Sequence, residues 1–131
     1  MTLYKNYHIA ESLEDALRAL GGIDGPARVI GGGTDLLLDL RHGNLSPQDT
    51  LVDINHIPEL QKIELRGDVL FIGAGVVHNR IINNELVAEH AQALVEACSL
   101  IAGPQVRNTA TIGGNVGHSL PAADATIALM A

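Results

Sequence analysis

Residues Thr109 to Ala128, TATIGGNVGHSLPAADATIA, decide how this chain is read, and Ile101-Ala102-Gly103-Pro104-Gln105-Val106-Arg107-Asn108 leads into them. The lead-in reads as a helix end running into Gly103-Pro104. A short strand-like segment follows, then a bend at Gly113-Gly114, then Asn115. A new helical pattern begins around Asp124, after Pro121. Two glycines at a bend admit a partner that a side chain would hold off. Successive N–H groups at such a bend form a small anion-binding concavity. A Gly-Gly pair is also a plain turn mark. What separates the two readings is a matching cluster at Gly31-Gly32-Gly33.

Working outward, Val29-Ile30-Gly31-Gly32-Gly33-Thr34-Asp35-Leu36 has the form of a strand, a glycine turn and a helix. Free N–H groups where the helix begins favour a phosphate. The pattern also matches part of the Rossmann fingerprint. Gly31-x-Gly33 is present, the third glycine position holds Leu36, and Asp53 lies near the distance expected of a ribose-binding carboxylate. Gly73-x-Gly75 is a second partial match, with His78 at the third position. A Rossmann NAD-binding domain is therefore one reading of these glycines, and a pair of tight turns is another. Asp35 either caps its helix or touches the ligand.

Composition narrows the choice. The chain has 131 residues, 47% of them hydrophobic and 14 of them glycine, so one domain with a real core is expected. The formal charge is −7, with two Tyr, one Phe and no Trp. Nucleic-acid surfaces need basic and aromatic platforms, so nucleic acid and anionic membranes are excluded as partners. No apolar run is long enough to span a bilayer, and the N-terminus lacks a signal pattern, so the expected location is cytoplasmic. Cys98, the one cysteine, reads as a buried free thiol and cannot hold an iron–sulfur cluster alone. No two histidines stand as H-x-x-x-H, which argues against zinc. His118, Ser119 and Asp124 lack the nucleophile elbow of a hydrolase.

In an acidic chain a phosphate must be held by local donors. Hydrogen bonds to a charged group contribute about 1.5–3 kcal/mol each, so four amides from two glycine turns supply roughly 6–12 kcal/mol before ordering costs.

In chain order, a strand is predicted at Tyr7 to Ile9. Ser12 caps a helix, with Asp15 as its capping-box partner, and Gly21-Gly22 ends that helix. Ala27 to Ile30 is a strand. Thr34 or Asp35 caps a leucine-rich helix that stops by Gly43. Asn44 to Asp49 is loop, and Thr50 to Ile54 is a strand. Pro58 then breaks the chain and marks a boundary between residues 1–58 and 59–131. A hairpin of Lys62 to Leu65 and Val69 to Ile72 turns at Arg66-Gly67-Asp68. Helical patterning runs from His78 to Ile101, broken near Asn83-Asn84, with Leu94, Ala97, Cys98 and Ile101 on one stripe. The apolar pattern of Ile127, Leu129 and Met130 reaches Ala131 without a cap, as expected of the N-terminal portion of a longer protein.

These blocks together resemble the FAD-binding subunit, or domain, of the molybdenum hydroxylases, the group of xanthine dehydrogenase, carbon monoxide dehydrogenase and 4-hydroxybenzoyl-CoA reductase. The resemblance rests on Gly32-Gly33-Thr34-Asp35-Leu36, Leu51-Val52-Asp53-Ile54, Ile57-Pro58-Glu59-Leu60 and Ile72-Gly73-Ala74. Ile101 to Asn108, Thr111-Ile112-Gly113-Gly114-Asn115 and Pro121-Ala122-Ala123-Asp124 complete it. It implies an α+β fold of the vanillyl-alcohol-oxidase (PCMH) type in two subdomains, incomplete at its C-terminal end.

It further implies an oxidoreductase subunit that passes electrons between iron–sulfur centres and an external acceptor through FAD. The molybdenum cofactor and the 2Fe–2S clusters are expected on a large and a small partner subunit. Carried over by position, Val29, Ile30, Gly31, Gly32, Gly33, Thr34, Asp35 and Leu36 wrap the diphosphate. Thr111, Ile112, Gly113, Gly114 and Asn115 supply further donors, Asp124 reaches the sugar-derived portion, and Ile101 lies against the flavin. Asp124 also reads as a first-turn helix carboxylate, and Arg107 as a structural contact or a phosphate ligand. Val77 stands where many relatives carry Thr. No catalytic residue is implied, and a cofactor-free assembly fragment is the competing reading.

Overall fold

The computed structural model describes residues 2–121 and 123–131. Ala122, part of the Pro121 to Asp124 block, lies outside the described residues. Strand β1 (Tyr4–Ile9) leads into helix α1 (Leu13–Gly21), followed by β2 (Ala27–Ile30), α2 (Leu36–His42) and β3 (Gln48–Asp53). The three strands form one parallel sheet in the order β1-β3-β2, with Tyr7 beside Leu51 and Ile30 beside Asp53. β1 starts three residues earlier than expected, and β3 starts at Gln48 rather than Thr50. The reason is that the two extensions pair with each other, Tyr4 with Gln48.

Local signals set the helix ends. Ser12 accepts the Asp15 N–H at 3.0 Å. The Asp15 carboxylate accepts the Glu11 N–H instead of completing the expected box at Ser12. Gly43 closes α2 in the left-handed region. Asp35 occupies the N-cap position of α2 with helical dihedrals and no side-chain cap bond, which corrects its expected capping role.

A 3-10 turn, Pro58–Gln61, follows, and then an antiparallel hairpin of β4 (Ile63–Arg66) and β5 (Val69–Ile72). The predicted helical stretch is three helices, α3 (His78–Ile82), α4 (Glu85–His90) and α5 (Gln92–Leu100). Asn84 caps α4 by accepting the Val87 N–H at 3.2 Å. Three short helices complete the chain, α6 (Pro104–Arg107), α7 (Ile112–His118) and α8 (Asp124–Met130).

The expected bend at Gly113-Gly114 is instead the first turn of α7. The strand-like approach to it is a single bridge between Val77 and Thr111. Thr111 caps α7 by accepting the Gly114 N–H at 3.0 Å. Two apolar clusters hold the molecule together. Ala10, Ala16, Val52 and Ile57 pack under α1, while Val76, Ile81, Val87, Leu94, Cys98, Ile112 and Ala125 join the later helices to the hairpin. Cys98 is free and fully buried, and burial pushes its thiol pKa up to about 11.

Candidate functional site

The parallel strands deliver their C-terminal ends, Ile9, Ile30 and Asp53, to one edge of the sheet, where ligands of open α/β sheets bind. β2 runs there into Gly31-Gly32-Gly33. Gly33 has φ +70°, which a side chain rarely adopts. Gly32 lies so close to the preceding wall of α7 that a Cβ would stand 2.2 Å from the Thr109 carbonyl oxygen. A Cβ on Gly31 would come within 2.8 Å of Thr111 Oγ1. The two glycine segments, some eighty residues apart in sequence, thus meet.

Their amides have different fates. Among the described residues, the N–H groups of Gly31, Gly32, Gly33, Thr34, Asp35 and Leu36 find no protein acceptor. The first helical bond of α2 runs from Leu37 N–H to Gly33 O, so the Gly33 to Leu36 donors are those that a helix start leaves open, and Gly31 and Gly32 extend the row. In the second segment the donors of Ile112 to Asn115 are spent within the protein. Ile112 N–H goes to Val76 O at 2.9 Å, Gly113 N–H to Ala74 O at 2.9 Å, Gly114 N–H to Thr111 Oγ1 and Asn115 N–H to Thr111 O at 3.1 Å. The expectation of free amide donors from this segment is therefore corrected, because Thr111 and the 74–76 turn consume them. Asn115 is tied up as well. Its Oδ1 accepts the Thr126 N–H and hydroxyl at 3.1 and 3.0 Å, joining α7 to α8.

A cleft of about 540 Å³ opens beside the free-donor loop. Gly31, Gly32 and Ile30 form one wall, Asn108, Thr109 and Val77 another, and Tyr4, Tyr7, Leu37 and Asn55 the rest. None of these side chains is charged. The Tyr4 and Tyr7 rings lie tilted with centroids 5.8 Å apart. Asp53 does not face outward for a ribose, which overturns the Rossmann reading of that carboxylate. It is buried, accepting Tyr7 OH at 2.7 Å, Asn55 N–H at 2.8 Å and Asn55 Nδ2 at 2.7 Å. Burial, and then the hydrogen bond to Asp53, push the Tyr7 phenol up to about 12. Asn55 Nδ2 also donates to Gly31 O at 2.9 Å. Asn55 escaped the sequence reading. The trace it leaves there is its place two residues beyond a strand-ending Asp, the spacing of an Asx turn.

The remaining expected residues lie around this core. Val29 is an exposed residue of β2 and Ile30 is buried. Asp35 Oδ2 sits 3.9 Å from His118 Nδ1, and Asp39 Oδ2 is hydrogen-bonded to His118 Nε2 at 3.0 Å. His118 thereby clasps α2 to α7 instead of forming a set with Ser119 and Asp124. The hydrogen bonds from His118 and then Asn44 hold the Asp39 carboxyl below its usual range. Ile101 ends α5, partly buried against the second cluster. Asp124 begins α8, exposed, where a carboxylate suits a first turn. Arg107 is structural. Its Nη1 donates to Ser99 O, Ile101 O and Ala102 O at 3.1, 3.0 and 3.0 Å, bracing Ala102 at φ +41°.

The donor set fits one kind of ligand. Free amides with no basic side chain among the lining suit a phosphate whose remaining parts are neutral and planar or apolar. The residues present therefore fit a dinucleotide cofactor such as FAD.

Residues 3–131 match the family model described as "FAD binding domain in molybdopterin dehydrogenase". The carbon monoxide dehydrogenase medium chain of Hydrogenophaga pseudoflava is 40% identical over 118 residues, covering 90% of this chain and 41% of that protein. The xanthine dehydrogenase FAD-binding subunit of Escherichia coli O157:H7 is 40% identical over 123 residues, covering 92% and 41%. A solved carbon monoxide dehydrogenase from Hydrogenophaga pseudoflava superposes with a TM-score of 0.86 at 38% identity, covering 92% of this chain and 42% of that one. Quinoline 2-oxidoreductase from Pseudomonas putida 86 gives 0.81 at 32% identity, covering 87% and 39%. The chain spans about two-fifths of the length of these relatives.

Proposed function

The chain belongs to the family of FAD-binding domains of molybdopterin dehydrogenases, and from that premise we propose that it binds FAD and serves electron transfer in a molybdenum-containing dehydrogenase complex. The observation that carries this reading is the row of six unpaired amides, Gly31 to Leu36, at the mouth of an uncharged cleft. When bound, FAD exchanges electrons singly or in pairs, which is the chemistry needed between iron–sulfur centres and an outside acceptor. The protein's own part is to bind and orient. Loop 29–36 takes the diphosphate. Asn108 and Thr109 present the facing wall of the cleft, and Thr111, Gly114 and Asn115 belong to the same cofactor site by position, the exposed Gly114 leaving room for close approach. Ile101 and Asp124 border the flavin end.

The partners in this reading are a small iron–sulfur subunit and a large molybdenum-cofactor subunit, and the location is the cytoplasm. The relatives support the partners, since the similar proteins are a medium chain and an FAD-binding subunit of dehydrogenases. No helix among the described residues is long and apolar enough to cross a membrane. In this reading the boundary between two FAD-binding subdomains is Pro58, which is supported by the buried residues of one cluster ending at Ile57 and those of the other beginning at Val76.

One observation favours a competing reading. The spent amides of Ile112 to Asn115 leave the diphosphate to loop 31–36 alone, as in an assembly fragment without cofactor. The visible spectrum of the purified chain, before and after adding FAD, decides between them. A retained yellow flavin, or saturable quenching of FAD fluorescence, supports the proposal. A colourless chain that ignores FAD refutes it.

A further inference from the structure

The free amides of loop 31–36 are useful to a ligand only if something keeps them turned toward it. A glycine triplet has no side chain with which to orient itself, and it loses more freedom on ordering than any other sequence. The hold comes from outside the loop. Asn55 Nδ2 donates to Gly31 O at 2.9 Å and, at the same time, to Asp53 Oδ1 at 2.7 Å. Both partners are acceptors only, so the orientation of the Asn55 amide is settled, with its NH2 on this side. Asp53 is itself immobilised by Tyr7 OH on its other oxygen and by the Asn55 N–H. Gln61 Nε2 secures the Asn55 carbonyl at 3.2 Å.

A trans peptide points its C=O and the next N–H in opposite directions. Anchoring Gly31 O on Asn55 therefore turns the Gly32 N–H away from Asn55, and that N–H has no acceptor among the described residues. We infer that Asn55, locked by Asp53, is the positioning residue of the cofactor loop, setting the Gly31–Gly32 peptide so that its amide faces the ligand's phosphate. The inference rests on the FAD reading above for the identity of the ligand. It adds a residue that makes no contact with the phosphate and acts through one carbonyl.

The test uses the full chain and two variants. Asn55→Asp keeps the shape and removes the donor. Asp53→Asn keeps Asn55 and loosens its lock. Two readouts are taken. Nitrogen-15 backbone relaxation of the FAD-free chain reports the order of Gly31 to Asp35, and fluorescence titration reports FAD affinity. In Asn55→Asp the amides of Gly31 to Asp35 lose order while those of α5 keep theirs, and the FAD dissociation constant rises by about tenfold or more. Asp53→Asn gives a smaller change in the same direction in both readouts. Wild-type loop order in Asn55→Asp overturns the inference. So does a loosened loop that binds FAD with wild-type affinity. A wild-type chain that ignores FAD sinks the cofactor reading and the ligand role with it, and relaxation then still shows whether Asn55 orders the loop.

Discussion

Replacing Gly32 with alanine tests the contact that makes one site of two distant segments. A Cβ at this position would lie 2.2 Å from Thr109 O, 2.7 Å from Thr109 C and 2.9 Å from Ala110 Cα. All three are backbone atoms, so no rotamer change relieves the overlap. Ordinary contact begins near 3.4 Å, and loop 31–33 must therefore part from residues 109–110 by more than an ångström. Overpacking of this kind costs about 1–3 kcal/mol. In a chain of this size that lowers the melting temperature by roughly 3–15 °C. The same parting pulls the Gly31 and Gly32 amides away from Thr111, so FAD affinity falls by roughly tenfold to a hundredfold. Calorimetry and FAD titration measure the two effects. Gly21→Ala is the control, because nothing lies within 4 Å of its added Cβ and it stands at the end of α1. There a methyl group stabilises by about 0.5–1 kcal/mol. A Gly32→Ala chain that melts with the control and titrates like the wild type refutes the reasoning.

Three further outcomes follow from the same geometry. Gly113→Ala should destabilise although it sits in a helix, because its Cβ would meet Ala74 O at 2.6 Å, whereas Gly117→Ala, with nothing within 4 Å, gains about 0.5–1 kcal/mol; urea midpoints compare the two, and a stabilised Gly113→Ala is the contrary result. His78 is fully buried with neither ring nitrogen bonded among the described residues, and burial lowers its pKa. The unfolded chain therefore binds the extra proton first, so stability is complete above the ordinary histidine range, near 6.5, and is lost as pH falls through it toward the lowered value. In His78→Leu the urea midpoint should lose that part of its acid dependence, and a slope below pH 7 identical to wild type contradicts it. Cys98, its thiol pushed up to about 11, should react with a thiol reagent at pH 8 only after denaturant is added, and rapid labelling of the native chain would show the thiol is not sealed.

Much of the fold was legible because its signals are local. Ser12 and Asp15, three residues apart, announce the start of α1. Gly43 announces the end of α2. The alternation around Arg66-Gly67-Asp68 announces the hairpin, and the helical stripe through Leu94 and Cys98 announces a buried helix. The apolar run into Gly31-Gly32-Gly33 identified the loop that carries the free amides. The ordered blocks identified the family, since their sequence along the chain is a property of the chain alone.

The rest depended on partners that no window of sequence contains. The start of β1 needed Gln48, forty-four residues away. The role of Asn55 needed the Gly31 carbonyl, twenty-four residues away. Gly113-Gly114 reads locally as a turn because glycine is a poor helix former. It is a helix because Thr111 caps it and because only glycine fits against Ala74. Composition and order along the chain thus determined which glycines could serve an anion. Tertiary structure alone decided which of their amides stayed free, because a donor is available only when no carbonyl from elsewhere in the fold has come within reach.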